Sequence, residues 1–502
     1  MIVNPIGDTS WYETDDRGNT VRTINALYDT TQYFYDSRGL MTKTINTLGD
    51  STLYYYDDRG NLDSLTNPLG YTTRYEYDLV GNQTALINPL DNRTEYEYDA
   101  NGHMVLMRDP LGNETKYIYD PALIGGCCGS GSASGLLLAT INPGGDTTRY
   151  EYDEMNRLIR TINQLNDTSF TEYDEEGRAT KRIDPEGRWI SYTYDNVGNL
   201  LSQTDALNRT TTYEYDSRNR KIKTIDAMGY ETRYVYDDGG NLIHFINANG
   251  DTTSFEYDLL NRKISETDPL DRTKYLKYDP LGSIDTLITP KGDTITYAYD
   301  RLGRLLQKQY PDDTLKYQYD AVGNSIQIDD NDSRLEMTYD ENSRLETVTT
   351  GNAGNPDDVQ SITTLEYLYD DAGRKTAMID PDSDTTYYYY NVNGQLDSLI
   401  GPDYQLFEFE RDILGRVTRL SRPNGTTTDY QYDKTSQVLS ILHKNGGAVI
   451  DSLTYTYNPV GMVSMMTDEA DTAIYVYDSL DQVTSAAYTN AVSYTHLTLP
   501  TN

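Results

Sequence analysis

The sequence predicts an all-β protein, a tandem array of β-hairpins with a repeat of about 21 residues, and three observations carry that prediction. A Tyr-x-Tyr-Asp motif recurs, its second tyrosine falling at Tyr35, Tyr56, Tyr77, Tyr98 and Tyr119, then at Tyr152, Tyr173, Tyr194, Tyr215, Tyr236, Tyr257, Tyr278 and Tyr299. Self-similarity of this kind means a small unit stacked many times rather than a domain folded around one pocket. Tyrosine is in excess, 48 against 6 Phe and 2 Trp, and Tyr and Thr both favour strands. Turn residues stand at fixed offsets between short runs of strand formers, as hairpins require.

One unit read from Tyr56 shows each element in order. The residue four places after the marker tyrosine is glycine in 15 of about 22 units, from Gly18, Gly39, Gly60, Gly81 and Gly102 to Gly461, and asparagine at Asn156, Asn219 and Asn261. Glycine and asparagine tolerate positive φ, so this position is predicted to be left-handed. The Asp that follows the tyrosine is placed to accept a backbone hydrogen bond two residues on and close the turn. A first strand is then predicted over 61–66. The second turn reads Asn-Pro-Leu-Gly or a relative, and 12 of the 17 prolines take its second place, Pro5, Pro68, Pro402 and Pro423 among them. Proline presets the first central residue of a β-turn. A second strand is predicted over 72–77. Tyr75 and Tyr77 lie on one face and Glu76 on the other, so one face is expected to be buried, with tyrosines stacked beside tyrosines, and the other wetter. A single hairpin is marginal, so the array supplies the stability. At about 10 Å per hairpin the units would make a ribbon of roughly 200 Å, which must twist and coil into a spiral or barrel-like wall.

Composition narrows the function. A net charge of −37 argues against nucleic-acid or phosphate binding and fits a solvated exterior. Two cysteines exclude a disulfide scaffold. No apolar run reaches the roughly 20 residues of a membrane helix, and no signal peptide opens the chain. His103, His244, His443 and His496 are scattered over different repeats and form no nucleophile–base or metal-ligand pattern. The acidic run Asp329–Asp332 lacks the glycine and terminal glutamate of a calcium loop. We therefore assign no catalytic, cofactor-binding or metal-binding residue, expect no cofactor, and do not expect an enzyme.

The repeat is interrupted in places. Residues 1–120 are repeats, beginning mid-unit at the turn Asn4–Gly7. Residues 121–140 hold a Gly/Ser/Cys-rich insert, expected to bulge from the sheet, in which Cys127 and Cys128 could form a vicinal disulfide or help to hold a metal. Repeats resume over 141–480, with loop insertions expected near 350–360 and 443–450. Arg411 stands where a marker tyrosine belongs, just after Phe407 and Phe409, and a repacked strand is expected there. Residues 481–502 fit no position of the unit and read as an out-of-register, non-native tail. Both ends look cut, so the chain is expected to be an interior piece of a longer protein, with open sheet edges that promote self-association.

The pattern Tyr-Asp-x-x-Gly-Asn/Arg-Leu, then Asn/Asp-Pro-x-Gly-x-x-Thr-x-Tyr-x-Tyr-Asp, resembles the RHS/YD-repeat family over essentially residues 1–480. That resemblance implies hairpins coiled into a large hollow shell, as in bacterial toxin-complex shells, wall-associated contact toxins and the animal teneurins. Many bacterial members enclose a C-terminal toxin behind an autoprotease segment with an Asp-Pro-x-Gly signature. Here Asp109–Gly112 has those letters but sits at an ordinary hairpin turn, and no autoprotease or toxin module follows the array, so neither activity is carried over. The expectation is a structural segment of an exported or cell-surface protein whose partner is an encapsulated effector. The alternative is an adhesin whose tyrosines stack on surface glycans.

Overall fold

A computed structural model describes residues 2–3, 9–120, 135–352 and 362–489. Cys127 and Cys128, most of the insert around them, the loop at 353–361 and residues 490–502 with His496 lie outside the described residues. The chain forms two compact units. One comprises Met1–Glu97, Met107–Gly112 and Val235–Thr385; the other comprises Tyr98–Leu106, Asn113–Tyr234 and Thr386–Asn502.

In both units the fold is all-β and built of antiparallel pairs of strands adjacent in sequence. In the first unit Ser51–Tyr56 pairs with Leu62–Thr66, which pairs with Thr72–Tyr77. In the second, Leu158–Ile162, Thr168–Tyr173 and Ala179–Ile183 repeat the arrangement. Among the described residues the one helical element is a single 3-10 turn, Pro402–Tyr404.

Both turns of the unit follow the same path. After Tyr56, the Asp57 N–H donates to the Asn61 carbonyl and the Gly60 N–H to the Asp57 carbonyl. After Thr66, the Asn67 N–H donates to the Tyr71 carbonyl and the Gly70 N–H to the Asn67 carbonyl. Each is a three-residue loop whose last residue is left-handed, Gly60 at φ +94° and Gly70 at φ +88°. The predicted asparagines comply, with φ of 63° at Asn156 and 60° at Asn219 and Asn261. Three further residues occupy the same place without the composition announcing it: Ser343, Ser436 and Asp481, at φ 60°, 69° and 63°.

The two turns differ in what flanks them. Across the Asp turn the register shifts at each pairing: Tyr55 faces Ser64 but Tyr56 faces Leu62, so Asp63 is the extra residue of a bulge. The same shift occurs at Tyr173, Tyr194, Tyr257 and Tyr278. Across the proline turn of these units the register is regular.

Few of the described residues are fully buried. The buried apolar residues are Ala85 and Ala377 in the first unit and Leu106, Ala139 and Ala473 in the second. The tyrosine face is therefore half-buried rather than buried, while the glutamates between the tyrosines are exposed, as at Glu76. Cross-strand ion pairs line that wetter face: Arg93 holds both Glu76 oxygens at 2.7 and 2.8 Å, and Arg108 reaches Glu95 at 2.6 Å.

Several expectations change. The surplus at 443–450 is not a loop: it lengthens two strands, Val438–Asn445 and Ala448–Tyr457, around a tight Gly446-Gly447 turn. Near 350 part of the surplus likewise becomes strand, Leu345–Asn352 paired with Thr363–Tyr369. The hairpin pattern also continues into the segment read as tail, where Val483–Tyr488 pairs with Thr472–Tyr477 and Tyr477 faces Val483 through the usual bulge.

Candidate functional site

The repeated turn residues work at the rims of the sheet. Asp57 Oδ1 accepts from the N–H groups of Arg59 and Asn61, and its Oδ2 accepts from the Asn61 side chain at 2.9 Å. The carboxyl of Asp57 is held below the ordinary carboxylate range by the Asn61 side chain first and then by these backbone donors. Where arginine replaces that asparagine it reaches further. Arg157 Nε binds Asp153 Oδ2 at 2.6 Å, its Nη1 donates to the carbonyl of Asp174 in the next unit, and its guanidinium lies 5.0 Å over the ring of Tyr173. Arg178 repeats this with Asp195 and Tyr194, and Arg416 with Asp433 and Tyr432. At these positions the marker rings stack on arginine rather than on one another, a correction to the expected tyrosine ladder.

The marker hydroxyl has a second role. Tyr56 Oη donates to the Met41 carbonyl at 2.9 Å, Tyr215 to Leu200 at 2.9 Å and Tyr278 to Lys263 at 2.6 Å. Met41, Leu200 and Lys263 each face a marker tyrosine across a bulge. The bulge removes a ladder partner from that carbonyl, and the next unit's hydroxyl replaces it. Burial pushes the Tyr56 and Tyr215 hydroxyls above their ordinary pKa. Arg411 fills the same role, since its Nε and Nη2 donate to the Leu396 carbonyl at 3.1 and 2.9 Å. The strand there, Gln405–Arg411, keeps the usual bulge, so the substitution preserves the bond and not the ring.

Within each unit, residues far apart in sequence also meet, always a proline-type turn against an Asp-type turn. In the first unit Asp29 pairs with Arg301 at 3.4 Å. In the second, Arg188 donates to Gln437 Oε1 and Thr435 Oγ1, the Lys434 N–H donates to Glu186 at 3.0 Å, and Arg209 binds Asp481 at 2.8 Å. The Gly144 N–H donates to Asn393 Oδ1 at 2.8 Å. A cavity of about 750 Å³ lies under this seam, lined among others by Arg182, Trp189, Tyr192 and Val460.

The described histidines are committed to packing and turns. His103 stacks on Tyr119 and bonds Asp99, His244 meets Ser254, and His443 meets the buried Thr428. The acidic run at 329–332 spends its carboxylates locally, Asp329 on Arg334 and Asp330 on the N–H groups of Asp332 and Ser333. Among the described residues no group of three or more His, Cys, Asp or Glu is arranged to hold a metal ion, and no helix is long and apolar enough to cross a membrane. The sequence singled out the tyrosines, aspartates and glycines. It missed the bulge, the carbonyl each hydroxyl serves, and the seam.

Comparison with known proteins agrees with this geometry. The teneurin YD-shell model matches residues 150–331 and 403–496, more than half of the chain, and the RHS repeat model matches 56–93, 80–114 and 131–164. No curated protein matches in sequence. Among solved structures the fold is similar to TcdB2-TccC3 without its hypervariable C-terminal region, at 16% identity and TM-score 0.76, covering 95% of this chain and 33% of that one. TcdB2-TccC3 itself aligns at 17% identity and TM-score 0.75, covering 95% and 31%, and the Photorhabdus luminescens Tc holotoxin pore at 15% and 0.74, covering 95% and 33%. The chain spans about a third of the length of these structures. A matched family model over most of the repeats, a shared fold and a rim built from the YD motif lead to one conclusion: the chain belongs to the teneurin YD-shell family of RHS-repeat proteins.

Proposed function

We propose that this chain is a stretch of wall in an exported or cell-surface shell that confines a C-terminal toxin or effector, and that it performs no chemistry of its own. One observation carries the reading. Few described residues of either unit are fully buried, and the recurrent chemistry of the repeat, hydroxyl, carboxylate and guanidinium alike, is spent on tying one hairpin repeat to the next. Such an arrangement suits a partition, since a partition needs lateral cohesion more than a thick core. The similarity in fold to TcdB2-TccC3 supports the same reading. The test is protease protection. In the full-length protein that carries this chain, sequence downstream of the repeats should resist a soluble protease under native conditions and be cut once the wall is opened by denaturant. Cleavage at equal rates in both conditions would overturn confinement.

A second reading, a glycan-binding adhesin, is favoured by exposed rings on the wetter face, Tyr55, Tyr387 and Tyr389, which are 51%, 46% and 47% accessible. Tyrosines of this kind suit stacking on sugar rings. Saturable binding of the purified chain to a glycan array, abolished by Tyr387→Ser with Tyr389→Ser, would establish it; no binding would remove it.

A further inference from the structure

The seam of the second unit obeys a rule that the repeat itself does not require. The fifth residue of an Asp-type turn varies: it is arginine at Arg157, Arg178, Arg220, Arg262, Arg304, Arg344, Arg374 and Arg416, and asparagine at several others. Among the described turns glutamine fills this place three times, at Gln395, Gln437 and Gln482. Each of those three turns, 391–395, 433–437 and 478–482, hydrogen-bonds a proline-type turn across the seam, through Asn393, Gln437 and Asp481. Two of the incoming turns end in arginine, Arg188 and Arg209, already tied to Asp184 and Asp205 of their own turns. In the first unit the incoming turn ends in the acidic Asp29, which meets Arg301, the second residue of the turn 300–304.

We infer that the fifth residue of an Asp-type turn facing the seam is one that tolerates the charge of the incoming turn, and that Gln437 is the register-determining residue for the docking of Arg188. An arginine at 437 would serve the local turn as well as the arginines at 157 and 178 do, because the intra-turn bond and the reach to the next turn are available to it. It would, however, place two guanidinium groups together at a seam where Arg188 is only 15% exposed. Like charges brought together at a docking surface disfavour that pairing. Glutamine avoids the repulsion and offers Oε1 to Arg188 while its Nε2 donates to the Gly461 carbonyl at 2.6 Å. Arg272 is the reference for an undocked turn: it makes the same bond to its own Asp268, among the described residues no seam contact to it is present, and its side chain is 61% exposed.

The inference concerns the seam alone and stands whether or not the wall encloses an effector. Spin labels at Ala206→Cys and Lys434→Cys, in a background of Cys127→Ser and Cys128→Ser, report the seam by pulsed electron resonance, and far-ultraviolet circular dichroism reports the hairpins. The parent should give one short distance. Gln437→Arg should lengthen or broaden it with the β spectrum intact, and Gln437→Arg with Arg188→Asp should restore it. An unchanged distance in the single variant, or no recovery in the double variant, would overturn the rule. Should Gln437→Arg lose its β spectrum, Gln395→Arg decides the matter independently. Its incoming turn ends in Asp146, so the seam should then stay closed to at least twofold higher salt, and a seam that opens at lower salt would refute the rule. Arg272→Asp should leave the distance unchanged; a shift would show that the effect is not local to the seam and would count against the rule.

Discussion

The Asp rim and the proline rim share a backbone path and differ in their reach. At the Asp rim the turn carboxylate holds the fifth residue, the fifth residue holds the next turn, and the marker hydroxyl holds a carbonyl one unit back. At the proline rim the bonds of the turn carboxyl or amide lie mainly inside the turn, with a few side-chain links to the neighbouring repeat, such as the Thr47 hydroxyl to Asp29 and the Asn331 N–H to Asp313. Asn247 Oδ1 accepts from the N–H groups of Asn249 and Asp251, and its Nδ2 donates back to Asp251. One rim is thus stitched along the array, and the other leaves its fifth residue available for docking at a distance. Equal turn geometry does not imply equal contribution to stability.

That comparison can be broken most forcefully at a marker tyrosine. Tyr215→Ala should lower the unfolding free energy by about 3 kcal/mol, combining a lost half-buried ring with an orphaned carbonyl. Tyr215→Phe isolates the hydroxyl and should cost about 1 kcal/mol. Tyr215→Arg should fall between the two, given Arg411. Urea midpoints rank the three, and an arginine variant no better than alanine would contradict the carbonyl account.

Next come the turn residues. Asp258→Ala removes acceptors for two backbone N–H groups and for Arg262, and should cost about 2 kcal/mol. Asn247→Ala removes the same two backbone acceptors without a stitch beyond the turn and should cost about 1 kcal/mol. Arg157→Ala should cost about 1 kcal/mol through its lost carbonyl bond and ring contact. Arg272→Ala should change stability by less than about 0.5 kcal/mol, as an exposed ion pair does. Equal losses at Arg157 and Arg272 would erase the distinction between the rims.

The smallest effects are those of pH. The Asp216 carboxyl is held below its ordinary value by the Arg220 N–H and then by its guanidinium. A folded value below the unfolded one, about 3.9, means that the stabilisation is present above roughly pH 4 and is lost as pH falls through the folded value. Burial moves the Tyr215 hydroxyl the other way. Its contribution is complete below about pH 10 and is lost as pH rises through the raised folded value. Thermal scans from pH 3 to 11 should show a plateau between those limits. Asp216→Asn should flatten the acid limb slightly, and Tyr215→Phe the alkaline limb.

Much of this architecture was legible because it is local. The left-handed glycines and asparagines, the Asp-closed turn and the strand over 72–77 each depend on residues within four or five positions of one another. Ser343, Ser436 and Asp481 escaped because the turn imposes φ on whatever residue stands there, at a cost that composition does not display. The bulge escaped because it follows from a register difference of one residue between strands of six and five. The ends of the surplus hairpin at 438–457 escaped because extra residues can extend a ladder as readily as a loop. The seam was beyond reach, since it joins residues about 250 positions apart and its only sequence trace is a glutamine in place of an arginine.

Arg411 bears on how units of this family are to be counted. What the strand requires at that place is a donor long enough to reach one carbonyl, and a planar guanidinium with several N–H groups meets the requirement. A census keyed to the aromatic ring would record a missing unit where the sheet runs on without a break, and would underestimate how far such an array extends. A census keyed to reach and donor chemistry would find it, and would single out units held to the neighbouring hairpin by two N–H donors rather than by one hydroxyl.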